Sequence, residues 1–182
     1  MTEQERHLII GCKNGNSLCQ KQLYLDYGPF VKGICLRYTQ DEMEAEDLFH
    51  DVFVYILTHI DKLKEFNNLH GWLRTVTINK IIDHFRYKKI RSVESLDDLS
   101  TEPSEEPDDV PPIELEQLIH IINQIPERYR TVFNLYVIDK YKQEDIAQMM
   151  GETQTNIRTL ISRSKSMLRT RIQNYINRTY SK

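Results

Sequence analysis

Six glycines and six prolines in 182 residues are too few for a turn-rich β fold, and four of those prolines crowd into residues 103–112. Long amphipathic runs dominate the remainder, so the expected class is all-α. No run of eighteen apolar residues occurs, which argues against a transmembrane helix. The three cysteines, Cys12, Cys19 and Cys35, are odd in number and form neither a CxxC pair nor a Cys/His ligand spacing. Reduced, mostly buried thiols are therefore expected, rather than a disulfide framework or a metal site. No cofactor is expected. The opening "MTEQERHLII" carries charge where a signal peptide would have its apolar core, so the chain is expected to stay in the cytoplasm without membrane insertion.

Acid is abundant, and it is concentrated. Residues 92–116, "SVESLDDLSTEPSEEPDDVPPIELE", hold ten carboxylates, four prolines and no Lys or Arg. Such a stretch buries too little apolar surface to offset the entropy of ordering it, so 92–112 is expected to be a solvated linker. It would join two small helical domains, 1–91 and 113–182. The whole chain has 24 basic against 27 acidic side chains; without this stretch the balance is 24 to 17, or +7. The acidic average thus conceals a basic remainder, with consequences for partners.

In the first domain, residues 17–38 read as two helices broken near Gly28–Pro29. Leu18, Leu23, Tyr24 and Tyr27 point inward before the break, and Val31, Ile34, Cys35 and Tyr38 after it. Residues 41–60, "DEMEAEDLFHDVFVYILTHI", read as a helix capped by Asp41, with Ala45, Leu48, Phe49, Val52, Phe53, Ile56 and Ile60 inward. Glu46, Asp47, His50, Asp51 and Val54 are left outside. Asp47 and Asp51, one turn apart, repel each other in an isolated helix. They mark either a solvated face or a docking face for a basic partner. Residues 71–91, "GWLRTVTINKIIDHFRYKKIR", bury Leu73, Ile78, Ile81, Ile82 and Phe85. Trp72, Thr75, Asn79, Asp83 and Arg86 recur on the other side, and residues 74–91 hold six basic side chains and one acid. Trp72 is a core residue or a stacking platform. An aromatic, an amide and cations on one exposed helix suit single-stranded nucleic acid.

In the second domain, Ile113, Leu118, Ile121, Ile122 and Ile125 precede a stop at Pro126, which fits the first turn of the next helix. That helix, "ERYRTVFNLYVI", turns Tyr129, Val132, Phe133 and Tyr136 inward. A short helix over 143–150 follows, with Ile146, Ala147 and Met150 inward, and Gly151 supplies a left-handed turn. Thr153 or Thr155 then caps a helix that buries Ile157, Ile161, Ser164 and Leu168. This is the sequence form of a helix-turn-helix. Its outer side carries Thr155, Asn156, Arg158, Thr159, Ser162, Arg163 and Lys165, and from Thr153 onward there are seven basic residues and no acid. Hydroxyls and an amide at its start suit base edges, and the cations suit phosphates. The rival reading of this block is an ordinary helical bundle with a basic tail.

Taken in order, "RYTQDEMEAEDLFHDVFVYI", "WLRTVTINKIIDHFR", the acidic stretch and "IPERYRTVFNLYVIDKYKQEDIAQMMGETQTNIRTLISRSKSML" resemble region 2, the linker and region 4 of the extracytoplasmic-function sigma factors, members of the sigma-70 family of bacterial RNA polymerase. The resemblance spans about residues 8–172. It implies that Glu46, Asp47, Leu48, His50, Asp51 and Phe53, with Phe49, meet the β′ clamp coiled coil of core polymerase. It places the unwound −10 strand on Trp72, Thr75, Asn79, Lys80, Asp83 and Arg86, with a pocket for a flipped base in loop 61–71. The −35 duplex falls to Thr155, Asn156, Arg158, Thr159, Ser162, Arg163 and Lys165, on a domain that meets the β flap. It further implies a linker threading the polymerase cleft, regulation by an anti-sigma factor, and no catalytic activity. Departures from the family pattern are Leu160 for a usual Arg, Thr155 for Gly, Lys142 for a capping Ser, and Leu63 and Phe66 in the pocket loop. Two other readings compete. A stand-alone helix-turn-helix regulator would leave residues 41–60 and 71–91 without a task. An enzyme built on His50, Asp47 and Asp51 lacks any nucleophile, phosphate loop or ligand motif.

Overall fold

The computed structural model describes residues 2–64, 68–91 and 113–180, and side chains among these except at 88–91 and 180. No β-strand occurs among the described residues, and no helix there is long and apolar enough to cross a membrane. The chain divides into two compact units, Met1–Lys88 and Lys89–Lys182. The acidic stretch 92–112 and Phe66 lie outside the described residues.

The first unit contains α1 (Glu3–Lys13), α2 (Ser17–Tyr38), α3 (Glu42–Thr58), a single 3₁₀ turn (Ile60–Lys62) and α4 (Leu69–Arg91). Thr2 and Glu5 form a reciprocal capping box at the start of α1, satisfying two otherwise orphaned N–H groups. Asn16 caps α2 and Asp41 caps α3, the latter accepting from the Glu44 amide at 2.8 Å. The expected inward residues of 41–60 and 71–91 are all in the core, including Val52, Ile56, Leu73, Ile78 and Ile81.

The expected break at Gly28–Pro29 is absent: α2 runs unbroken through Pro29. A proline inside a helix removes one hydrogen bond, a cost of about 3 kcal/mol. Here a single buried stripe crosses the site, with Leu23 and Tyr27 on one side and Val31, Ile34 and Tyr38 on the other, while Pro29 faces solvent. Tertiary packing therefore outweighs local propensity. Gly28 packs against Phe49 of α3, where a Cβ would stand 3.6 Å from Phe49 Cζ, an ordinary contact, so the packing does not demand glycine there. Leu18 is also corrected: it lies opposite the stripe and is 75% exposed. Tyr24 is partly exposed, with its ring edge-on to Phe53 at 4.9 Å.

The second unit contains α5 (Leu115–Asn123), α6 (Glu127–Phe133), a π turn (Asn134–Ile138), α7 (Gln143–Met150) and α8 (Gln154–Tyr180). Ile121, Ile122, Ile125, Met167 and Leu168 form its core cluster, flanked by Phe133 and Tyr175. Pro126 sits at the N-cap of α6, one position before the first turn. The helix expected to continue through Tyr136 changes to π geometry at Asn134, a buried residue whose carbonyl accepts from the Asp139 amide at 2.8 Å. Arg130 is fully buried, and its Nη1 donates to the Asn123 and Ile125 carbonyls, closing the C-terminal end of α5.

Gly151 has φ 65°, the left-handed conformation expected of it, and the Glu152 amide reaches back to the Ala147 carbonyl at 2.9 Å. Lys142 occupies the N-cap of α7 and makes no side-chain cap. Leu160 and Met167 join the core of α8 beside Ile157, Ile161, Ser164 and Leu168. Leu160, 3% exposed, is thus a packing residue.

Candidate nucleic-acid interface

On α3 the helical period separates two sets of residues. Glu46, Asp47, His50, Asp51 and Val54 are exposed, and Val54 (62% exposed) forms an apolar spot in an acidic face. Glu46 is partly neutralised, 3.4 Å from Lys32 Nζ of α2. Asp47 and Asp51 form no ion pair with any described residue. Leu48 and Phe53 are corrected as docking residues: both are buried with Phe49 in the unit's own core. Their part is to seat the helix so that the two aspartates face outward.

On α4, Thr75, Asn79, Asp83 and Arg86 are exposed along one strip, and Trp72 is half-buried at its start. Thr75 donates its hydroxyl proton to the Gly71 carbonyl at 2.9 Å, so its oxygen faces outward as an acceptor. Lys80 lies off this strip, with its ammonium 3.9 Å from the centre of the Tyr55 ring. His59 stacks on the same ring at 3.8 Å, and Lys62 lies 5.9 Å from it. Spacing along α4 alone could not reveal this group of cations around one aromatic, because Tyr55 and His59 come from the end of α3. Within loop 61–71, Leu63 is buried, with its carbonyl accepting from Lys13 Nζ at 2.8 Å, and Leu69 onward already belongs to α4. Neither Leu63 nor Leu69 lines an open pocket.

On α8, the cap is Thr153, whose hydroxyl accepts from the Asn156 amide at 3.2 Å. Thr155, Arg158, Thr159, Ser162, Arg163 and Lys165 are exposed, as expected of a helix presenting its first turns outward. Asn156 differs, being half-buried with Nδ2 donating to Glu152 Oε2 at 2.7 Å. Glu152 Oε1 in turn accepts from Arg128 Nη2 of α6 at 2.6 Å. Neither Arg128 nor Glu152 stood out in the sequence, since 24 residues separate them and no helical spacing connects them.

The three surfaces are thus an acidic face on α3, a polar strip on α4 that carries Asp83 and Arg86, and an acid-free basic helix in the second unit. The sigma-70 region 2 family model matches residues 23–91, and the sigma-70 region 4 model matches residues 115–168. Together these matches span more than half of the chain. The chain is 25% identical to the RNA polymerase sigma-H factor of Pseudomonas aeruginosa over 180 residues, covering 91% of this chain and 92% of that one. It is 27% identical to the ECF RNA polymerase sigma factor SigW of Bacillus subtilis over 159 residues, covering 81% and 85%. Among solved structures it is similar to the sigma factor RpoE of Bartonella quintana, crystallised with the anti-sigma factor NepR. That likeness has a TM-score of 0.53 and 21% identity, over 84% of this chain and 96% of the other.

Proposed function

This chain belongs to the sigma-70 family of RNA polymerase sigma factors, in its extracytoplasmic-function group, and from that premise we propose how its surfaces divide the work. The outer face of α3 docks on core polymerase through Asp47 and Asp51. The strip Trp72–Thr75–Asn79–Arg86 holds the opened −10 strand, and the outer side of α8 reads the −35 duplex. The domains are 1–91 and 113–182, joined by 92–112, and the chain works in the cytoplasm without catalysing a reaction itself.

The observation that carries this reading is the pair of exposed aspartates on α3. Two like charges one turn apart, without a cation among the described residues, weaken the helix that bears them. Opposite basic side chains of a partner, the same pair gains charge-assisted hydrogen bonds. A stand-alone duplex-binding regulator has no use for them, and the region 2 match disfavours that reading. On α4, an amide and a half-buried aromatic beside cations suit bases already out of the stack. Unstacking costs a few kcal/mol, so capture of a flipped base couples recognition to melting. The linker 92–112, with eight carboxylates and no Lys or Arg, suits a basic channel shaped for nucleic acid. An anti-sigma factor would regulate the chain by covering these same faces.

The test is binding of the full chain to core polymerase in the absence of DNA. The proposal expects a stable complex that competes with other sigma factors. A chain that binds promoter duplex yet leaves core polymerase untouched would contradict it.

A further inference from the structure

We infer that Glu152 and Arg128 are positioning residues that fix Asn156 as a hydrogen-bond acceptor toward DNA, so that α8 selects adenine or cytosine on one strand at the position Asn156 meets. The inference deepens the proposed reading of the −35 duplex by α8 and rests on it.

A free asparagine amide can turn over, offering either its oxygen or its nitrogen to a base. Here that choice is removed. Glu152 Oε1 is occupied by Arg128 Nη2 at 2.6 Å, and Oε2 lies 2.7 Å from the Asn156 side chain. A carboxylate held by a guanidinium has only lone pairs to give, so its amide neighbour must be the –NH₂ and never the carbonyl oxygen. The Asn156 oxygen is thereby turned away from Glu152, and it accepts nothing from any described residue. On the major-groove edge, adenine N6 and cytosine N4 carry donor protons, while guanine O6 and thymine O4 only accept.

The arrangement is rigid. Glu152 is 15% and Arg128 29% exposed at the side chain, so the ion pair is shielded from water. The Glu152 backbone is held by its bond to the Ala147 carbonyl, and Asn156 by the Thr153 cap. Arg128 also explains how a carboxylate is tolerated at the edge of a DNA-reading helix: Glu152 immediately precedes thirty residues without another acid, where it would otherwise repel phosphate. Arg128 comes from α6, so the orientation of a reading side chain is set by a helix outside the helix-turn-helix.

The experiment reconstitutes holoenzyme from the full chain and core polymerase, then measures binding to promoters carrying each base at each −35 position. Wild type is expected to favour A or C over G or T at one position by roughly three- to tenfold, the range of one hydrogen bond. Asn156→Ala should level that position alone. Glu152→Gln is nearly isosteric but can donate as well as accept, so it should release the amide and erode the same preference with other positions unchanged. Asn156→Asp, which cannot donate, should keep the A or C preference at lower affinity, and it serves if Glu152→Gln fails to fold. A G or T preference at the Asn156-dependent position would overturn the inference. So would an undiminished preference in a folded Glu152→Gln protein, or lost preference in Asn156→Asp. Wild-type holoenzyme without any −35 sequence preference would instead overturn the reading of α8 itself.

Discussion

Asp47 and Asp51 form no ion pair among the described residues and lie on a helix whose other face is packed, which makes them removable without disturbing the core. Asp51→Arg is therefore expected to weaken core polymerase binding by tenfold or more while the thermal melting temperature stays within a few degrees. Unchanged polymerase affinity by fluorescence titration would remove α3 from the docking role. Asn79 is exposed midway along the polar strip of α4. Asn79→Ala should slow open-complex formation, followed by permanganate reactivity of unpaired thymines, more than it weakens polymerase binding. Equal losses in both would count against base capture there. Among the cysteines, burial pushes the Cys35 thiol up to about 12 and Cys12, with Cys19 nearby, up to about 11. A raised thiol pKa leaves little thiolate at pH 8, so both should resist alkylation in the native protein and react once it is unfolded. Half-buried Cys19 should be the first thiol modified by iodoacetamide in a mass-spectrometric time course.

At the scale of elements, the division of α3 into buried and exposed faces was legible because one strong helical period and an acid-capped start agree. The helix-turn-helix was legible for a similar reason, with Gly151 and Thr153 punctuating two amphipathic runs. Other elements were not. Pro29 suggested a break that the continuous buried stripe of α2 overrides, and the π turn after Phe133 has no local signal. Arg130 carries no signal in the helical pattern, and its buried guanidinium closes α5 through carbonyls five and seven residues away. Leu160 stood out only as a departure from a usual Arg, and three-dimensional packing places it in the core. The uncapped start of α7 yields a prediction. Lys142→Ser would supply the missing acceptor and should stabilise the second unit by about 1 kcal/mol, read as a rise in the urea midpoint. No shift, or a fall, would mean that water already satisfies the first amides of α7.

The chain has two compact helical units, Met1–Lys88 and Lys89–Lys182, between which the proposed function divides the tasks of a promoter-recognition subunit. Its net charge of −3 misleads, because the acid gathered in residues 92–116 hides a surplus of +7 on the rest. Charge distribution, and not the total, accounts for an overall acidic chain that carries nucleic-acid surfaces. The central claim is that one chain both recruits polymerase and selects where it starts, and run-off transcription tests it most directly. Core polymerase supplied with this chain should produce transcripts with a single defined 5′ end from a cognate promoter, and mutation of either the −10 or the −35 element should abolish them. Core polymerase that binds the chain but initiates at no promoter of the same genome, or that initiates equally well without it, would contradict the account.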